Sequence, residues 1–287
     1  MKTLALFLLT LFLSTFVSTV FAQNLDNRSA NNSTAADRSS AAGDLPKSVQ
    51  LEDERPANQV QFNYTYESLT KNFGAWRNAS LDVSHRFDSR QMLYGAVRET
   101  ERVGQRDREA MIGFYQPVGK RWAVLAETNA SPTHNVLPKW SALIQVERSF
   151  AAGWNVQTGY RRTNFNTARV NLGTIGAEKY WGNYRAAYTL YVNNLEKAGT
   201  SAAHRLQFNR YYGEQASTIG ISLAAGRELE SLGAARGGVL RTDVQSVAIS
   251  GYHWFGRNWG TNYVLTLHRQ GSLYWRRGLT LGLRYQF

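Results

Sequence analysis

From Val60 to Phe287 the sequence runs in segments of roughly ten residues in which apolar and polar side chains alternate, with polar breaks between them. A period of two is a strand pattern, and roughly nine to eleven residues is the length that crosses a bilayer at a tilt. No later segment approaches the roughly 18 consecutive apolar residues that a membrane-spanning helix needs. Without helices, only a closed barrel satisfies every backbone hydrogen bond in lipid. The expected fold is therefore all-β: a transmembrane, antiparallel, up-and-down β-barrel. The alternative, a soluble sandwich, would have shorter strands of about five or six residues and would bury unpaired arginines in a dry core.

Fourteen strands fit, at 60–68, 76–87, 91–100, 108–117, 121–130, 139–150, 153–163, 169–180, 183–193, 203–212, 216–227, 242–254, 258–269 and 277–287. Tight breaks follow the even-numbered strands. Longer connections follow odd-numbered ones, at 101–107, 131–138, 194–202 and 228–241. Outer-membrane barrels have short periplasmic turns and longer external loops, so both termini belong in the periplasm. Twelve strands is the alternative if two weak hairpins are misread.

In the last strand Leu279, Leu281, Leu283, Tyr285 and Phe287 share one face, expected to meet lipid, and Thr280, Gly282, Arg284 and Gln286 share the other. All eight tryptophans fall near proposed strand ends, where interfacial girdles belong. The closing octet, with Thr280, Gly282, Tyr285 and Phe287 at its marked positions, resembles the C-terminal signal read by the barrel-assembly machinery. That machinery is an expected partner.

Met1 to Ala22 reads as a secretory signal, with basic Lys2, an apolar run from Leu4 to Phe16 and Val20-Phe21-Ala22 before the cut. Export to the cell outer membrane follows. The absence of cysteine excludes a lipoprotein anchor and disulfides. Residues 23–57, rich in Asn, Ser, Ala and Asp, show neither period and read as a disordered periplasmic segment, leaving 58–287 for the barrel. Of the net charge of +12, Lys2 supplies one and 23–57 carries −2, so the barrel region carries +13. An exported chain rarely meets nucleic acid. The anions expected are phosphates of lipopolysaccharide or an acidic polysaccharide.

Arg161, Arg185, Arg205 and Arg284 are inward by parity and form a candidate basic pathway, as charged rings do in pores. Glu67, Asp82, Glu127 and Glu147 are inward as well, so ion pairing is the competing reading. Arg102, Arg106, Arg108, Arg162, Arg236, Arg241, Arg276 and Arg277 fall in or beside external loops, where they could bind lipid phosphates.

Barrel lipases place a serine two residues after a histidine, on one strand face. Here His85, His134, His204, His253 and His268 are followed at that spacing by Phe87, Val136, Leu206, Phe255 and Gln270. Omptin-like Asp–Asp and Asp–His spacings, phosphate loops and metal-ligand clusters are also missing, and no cofactor is expected. The residual catalytic candidates are His204, Asp243 and His268 near external strand ends, with Ser201, Ser246 and Ser272 nearby.

Ser131-Pro132, Gly159-Tyr160-Arg161, Tyr211-Tyr212-Gly213, Gly226-Arg227-Glu228-Leu229-Glu230 and Tyr274-Trp275-Arg276-Arg277-Gly278 together resemble the YaiO-type outer-membrane barrel family over about 60–287. The resemblance implies an outer-membrane location and brings no settled activity. Members can carry a helical repeat region before the barrel, which this chain lacks. Three functions remain open: a non-enzymatic channel or envelope component handling an anionic glycan or small solute, a rim-located lipid or glycan hydrolase, and a plugged structural or adhesive barrel.

Overall fold

The computed structural model describes residues 57–87, 91–213, 215, 217–231 and 239–287. The expected signal at 1–22 and almost all of the 23–57 segment lie outside them. Fourteen antiparallel strands close into one barrel. They are β1 Asn58–Leu69, β2 Ala75–Arg86, β3 Met92–Arg102, β4 Gln105–Val118, β5 Trp122–Ala130, β6 Trp140–Ser149 and β7 Trp154–Asn164, then β8 Arg169–Trp181, β9 Tyr184–Leu195, β10 Gly199–Tyr212, β11 Ser217–Ser231, β12 Val239–Phe255, β13 Trp259–Gln270 and β14 Tyr274–Gln286. Each strand pairs with its sequence neighbours, and β1 pairs with β14 from Gln59↔Gln286 to Leu69↔Arg276. Closure leaves no edge strand, so the ladder has no unpaired row to expose to lipid.

The outward face is apolar around the whole circumference. Phe62, Leu81, Val97, Ile112, Ile144, Ile175, Leu206, Ile221, Ile249, Leu265 and Leu281 all stand exposed. An uninterrupted apolar surface of this extent marks a membrane-facing belt. Trp122, Trp154, Trp181 and Trp259 ring the end that carries the termini, while Trp140 and Trp275 mark the other end. Two tryptophans depart from the expected girdle. Trp76 points inward and is 3% exposed. Trp254 shares the inward parity of buried Tyr252, against which it packs edge-on.

The strands are longer than their polarity suggests, mainly at the end away from the termini. β4 and β10 start earlier than expected and β11 runs on to Ser231. The expected loop at 101–107 is a two-residue turn, Val103-Gly104, with φ of 51° and 73°. Two successive positive φ values give the twist that closes a tight hairpin. Above the lipid belt both strand faces are free to be polar, so the alternation that identifies a membrane strand fades while the ladder continues. Likewise the expected loop at 194–202 shrinks to 196–198.

Gly282 has a steric reason to lack a side chain. A Cβ there would overlap the amides of Asn63 and Asn262, which reach over it from β1 and β13. Asn262 Nδ2 donates to Asn63 Oδ1 (3.1 Å) across the strand that Gly282 occupies.

Candidate functional site

The inward face is a polar wall, and its arginines are anchored within it. Arg161 Nη2 donates to Glu127 Oε1 at 2.8 Å and Nη1 to Ser141 Oγ at 3.2 Å. Arg185 meets Glu178 at 2.6 Å through Nη2 and Asn209 Oδ1 at 3.2 Å. Arg205 Nε donates to Ser222 Oγ at 2.9 Å. Arg284 Nε donates to Gln61 Oε1 at 2.6 Å, with its guanidinium over the Tyr252 ring. Two further pairs, Arg98–Glu109 at 3.2 Å and Arg276–Glu67 at 3.4 Å, extend the pattern. A buried guanidinium is tolerable only with such partners.

The wall is balanced in charge. Arg86, Arg98, Arg102, Arg161, Arg185, Arg205, Arg276 and Arg284 occupy inward strand positions, and so do Glu67, Asp82, Asp107, Glu109, Glu127, Glu147, Glu178 and Glu228. Eight cations thus face eight carboxylates among the strand residues whose side chains are described, and Glu230 occupies a further inward register position of β11. On the outward positions, twelve Lys and Arg stand against three acids, Glu99, Glu101 and Asp243. The basic excess of the strands lies on the outside of the barrel.

The described inward bonds run along the wall. They join residues of one strand, of adjacent strands or of strands one further apart, as Tyr94 to Glu127, Tyr115 to Glu147 and Gln270 to Glu228 do. Around mid-height, Gln145, Gln157, Thr174, Tyr191 and Gln207 keep partial exposure although their side chains point inward. Their accessible surface faces the interior, so the lumen contains open space.

The end away from the termini is narrower in chemistry. Phe165, Val170, Leu195 and Leu229 form one apolar cluster there, and Trp76 with Tyr274 forms another, packed by Leu69, Phe73 and Leu273. The 131–139 connection is tied down by inward Asp107, which accepts Val136 N at 2.6 Å, Leu137 N at 2.9 Å and Asn135 Nδ2 at 3.0 Å.

The catalytic candidates do not converge. His204 is outward, with its Nδ1 2.7 Å from the Tyr188 hydroxyl, and outward Asp243 is paired with Arg227 at 3.0 Å. His268 alone is inward, 1% exposed, with Nε2 2.8 Å from Gln270 Oε1. Strand parity separates them. Ser246 lies opposite His268 in the β12–β13 register, yet among the described residues neither the Ser246 hydroxyl nor His268 Nδ1 has a hydrogen-bond partner. Among the described residues no cluster of His, Asp and Glu is arranged to hold a metal.

Of the arginines placed in or beside outer loops, Arg102 and Arg276 are instead inward, with their guanidinium carbons over the Trp76 indole at 5.1 and 5.3 Å. Arg106, Arg108, Arg162, Arg241 and Arg277 are outward on strands, and Arg236 lies outside the described residues. Stepping back by twos from Arg284 along β14 reaches Arg276, so its face was available to parity once the strand was known to continue. Thr280 and Gly282 of the closing octet are inward, and Phe287 is exposed on the outer side.

The profile of the YaiO membrane β-barrel domain matches residues 57–230. No curated protein sequence matches the chain. Among solved structures, the CymD monoaromatic hydrocarbon channel aligns with a TM-score of 0.55 at 9% identity, covering 85% of this chain and 91% of its own. A bacterial polysaccharide outer membrane secretin aligns with a TM-score of 0.53 at 8% identity, covering 81% and 99%. At such identities the likeness is one of fold.

Proposed function

Since the chain belongs to the YaiO membrane β-barrel family, we propose that it is a non-enzymatic outer-membrane barrel acting as a narrow channel for a small polar solute. The observation that carries this reading is the partly exposed inward belt of Gln145, Gln157, Thr174, Tyr191 and Gln207, set in a wall whose charges are compensated locally. A channel needs groups that replace water at a passing solute without holding it. Amides and hydroxyls facing the lumen do this, and anchored ion pairs do not trap counter-ions. The near balance of inward cations and carboxylates supports passage of small neutral or zwitterionic solutes more than a pathway reserved for anionic glycans. In this reading the first 22 residues direct export and are removed, and the termini face the periplasm.

Refolded chain in a planar bilayer should give discrete conductance steps, and proteoliposomes should admit small sugars while excluding larger ones. Absence of current in any salt condition would sink the channel reading. It would favour the plugged structural barrel, which the apolar clusters around Phe165 and Trp76 support.

A further inference from the structure

We propose that the outer surface of β12–β14, at the end away from the termini, is a binding site for a phosphorylated glycolipid of the surrounding leaflet. Arg269 and Arg277 are outward on adjacent strands, offset by one inter-strand step, since Arg269 pairs with Trp275 and Arg277 with Leu267. Lys71, on the β1–β2 turn, reaches the Ser272 carbonyl beside them, and Arg241 stands above on β12. Among the described residues none of these four meets a carboxylate. Elsewhere on the same rim the outward arginines are neutralised: Arg77 by Glu101, Arg106 and Arg108 by Glu99, and Arg162 and Arg169 by Glu196. The one acid on this face, outward Asp243 of β12, is engaged by Arg227 of β11 at 3.0 Å, so among the described residues the positive charge of Arg241, Arg269, Arg277 and Lys71 is left for an external anion.

The ligand must be amphipathic, because the patch continues directly into the apolar belt at Leu265, Leu267, Leu279 and Leu281. Trp275 marks the transition, with the Arg269 guanidinium over its ring at 5.7 Å. Acyl chains fit the belt, and guanidinium groups match phosphate oxygens with paired hydrogen bonds. The height of the patch selects the headgroup. Arg241 lies four residues above Gln245, the partner of Arg269, and Arg277 lies two residues below the level of Trp275. Six residues span roughly 20 Å along the strand and, at a tilt of roughly 40°, about 15 Å of height. A single phosphodiester at one depth cannot engage cations spread over that height, whereas a sugar headgroup bearing several phosphates can. The site does not depend on whether the lumen conducts.

The test compares the full chain, refolded in detergent micelles, for retention of bisphosphorylated lipid A, its dephosphorylated form and phosphatidylglycerol, read by native mass spectrometry. Wild type should retain the bisphosphorylated glycolipid preferentially. The double variant Arg269→Gln/Arg277→Gln should lose about tenfold in apparent affinity, the loss of roughly one charge-assisted contact. Arg106→Gln/Arg108→Gln, on the carboxylate-paired part of the rim, should stay near wild type, and heat-modifiable gel migration reports that each variant is folded. Equal retention of the dephosphorylated glycolipid or of phosphatidylglycerol would overturn the proposal, as would a folded double variant that binds like wild type.

Discussion

The inner wall and the outer face of this barrel use the same residue, arginine, to opposite ends. Inside, Arg161, Arg185 and Arg276 each have a carboxylate within 3.4 Å. Outside, Arg241, Arg269 and Arg277 have no carboxylate among the described residues, and a high positive excess accumulates beside lipid. The difference follows from solvent. An inward guanidinium packed into the wall has lost much of its water and requires a partner. An outward one at the rim keeps its hydration and reaches headgroups, so selection need not provide an acid.

The comparison breaks most visibly where an inner pair loses one member. Glu178→Ala leaves Arg185, 2% exposed, without its carboxylate, and unfolding by urea in lipid vesicles should show a loss of about 3 kcal/mol. Replacing both residues with apolar side chains of similar volume should recover most of that loss. A smaller effect is expected at Gly282. Gly282→Ala drives a methyl into the Asn63 and Asn262 amides, and the same measurement should show about 1 to 3 kcal/mol, with slower refolding because the closing strand is affected. The smallest effect belongs to the outer face. Arg108→Ala, which breaks the exposed Arg108–Glu99 pair, should change stability by at most about 0.5 kcal/mol. A large loss there would contradict the distinction between the hydrated outer pairs and the buried inner ones.

The barrel was legible because lipid enforces alternation on every strand across the membrane, and fourteen weak signals accumulate. The inward set Arg161, Arg185, Arg205 and Arg284 followed from the same parity. The strand ends beyond the belt did not, since residues such as Arg102 and Arg106 read as loop when both faces may be polar. Trp76 shows a different limit: its position near a strand end suggests a girdle, whereas it shares the parity of inward Asp82 within the expected strand 76–87, and parity is what holds. The pairing of the arginines was hidden for a different reason. Glu178 lies on β8 and Glu127 on β5, two strands from Arg161, and which acid meets which base is set by inter-strand register. Strand parity, by contrast, separates His204 and Asp243 from His268, which proximity to strand ends had grouped together.

The central claim is that the lumen is open and its charge compensated. Reversal potential in a planar bilayer under a potassium chloride gradient tests it most directly. Refolded wild type should show a potential near zero, and Glu127→Gln, which frees Arg161, should move it toward anion selectivity. Strong anion selectivity in the wild type, or a silent bilayer with folded protein, would contradict the account.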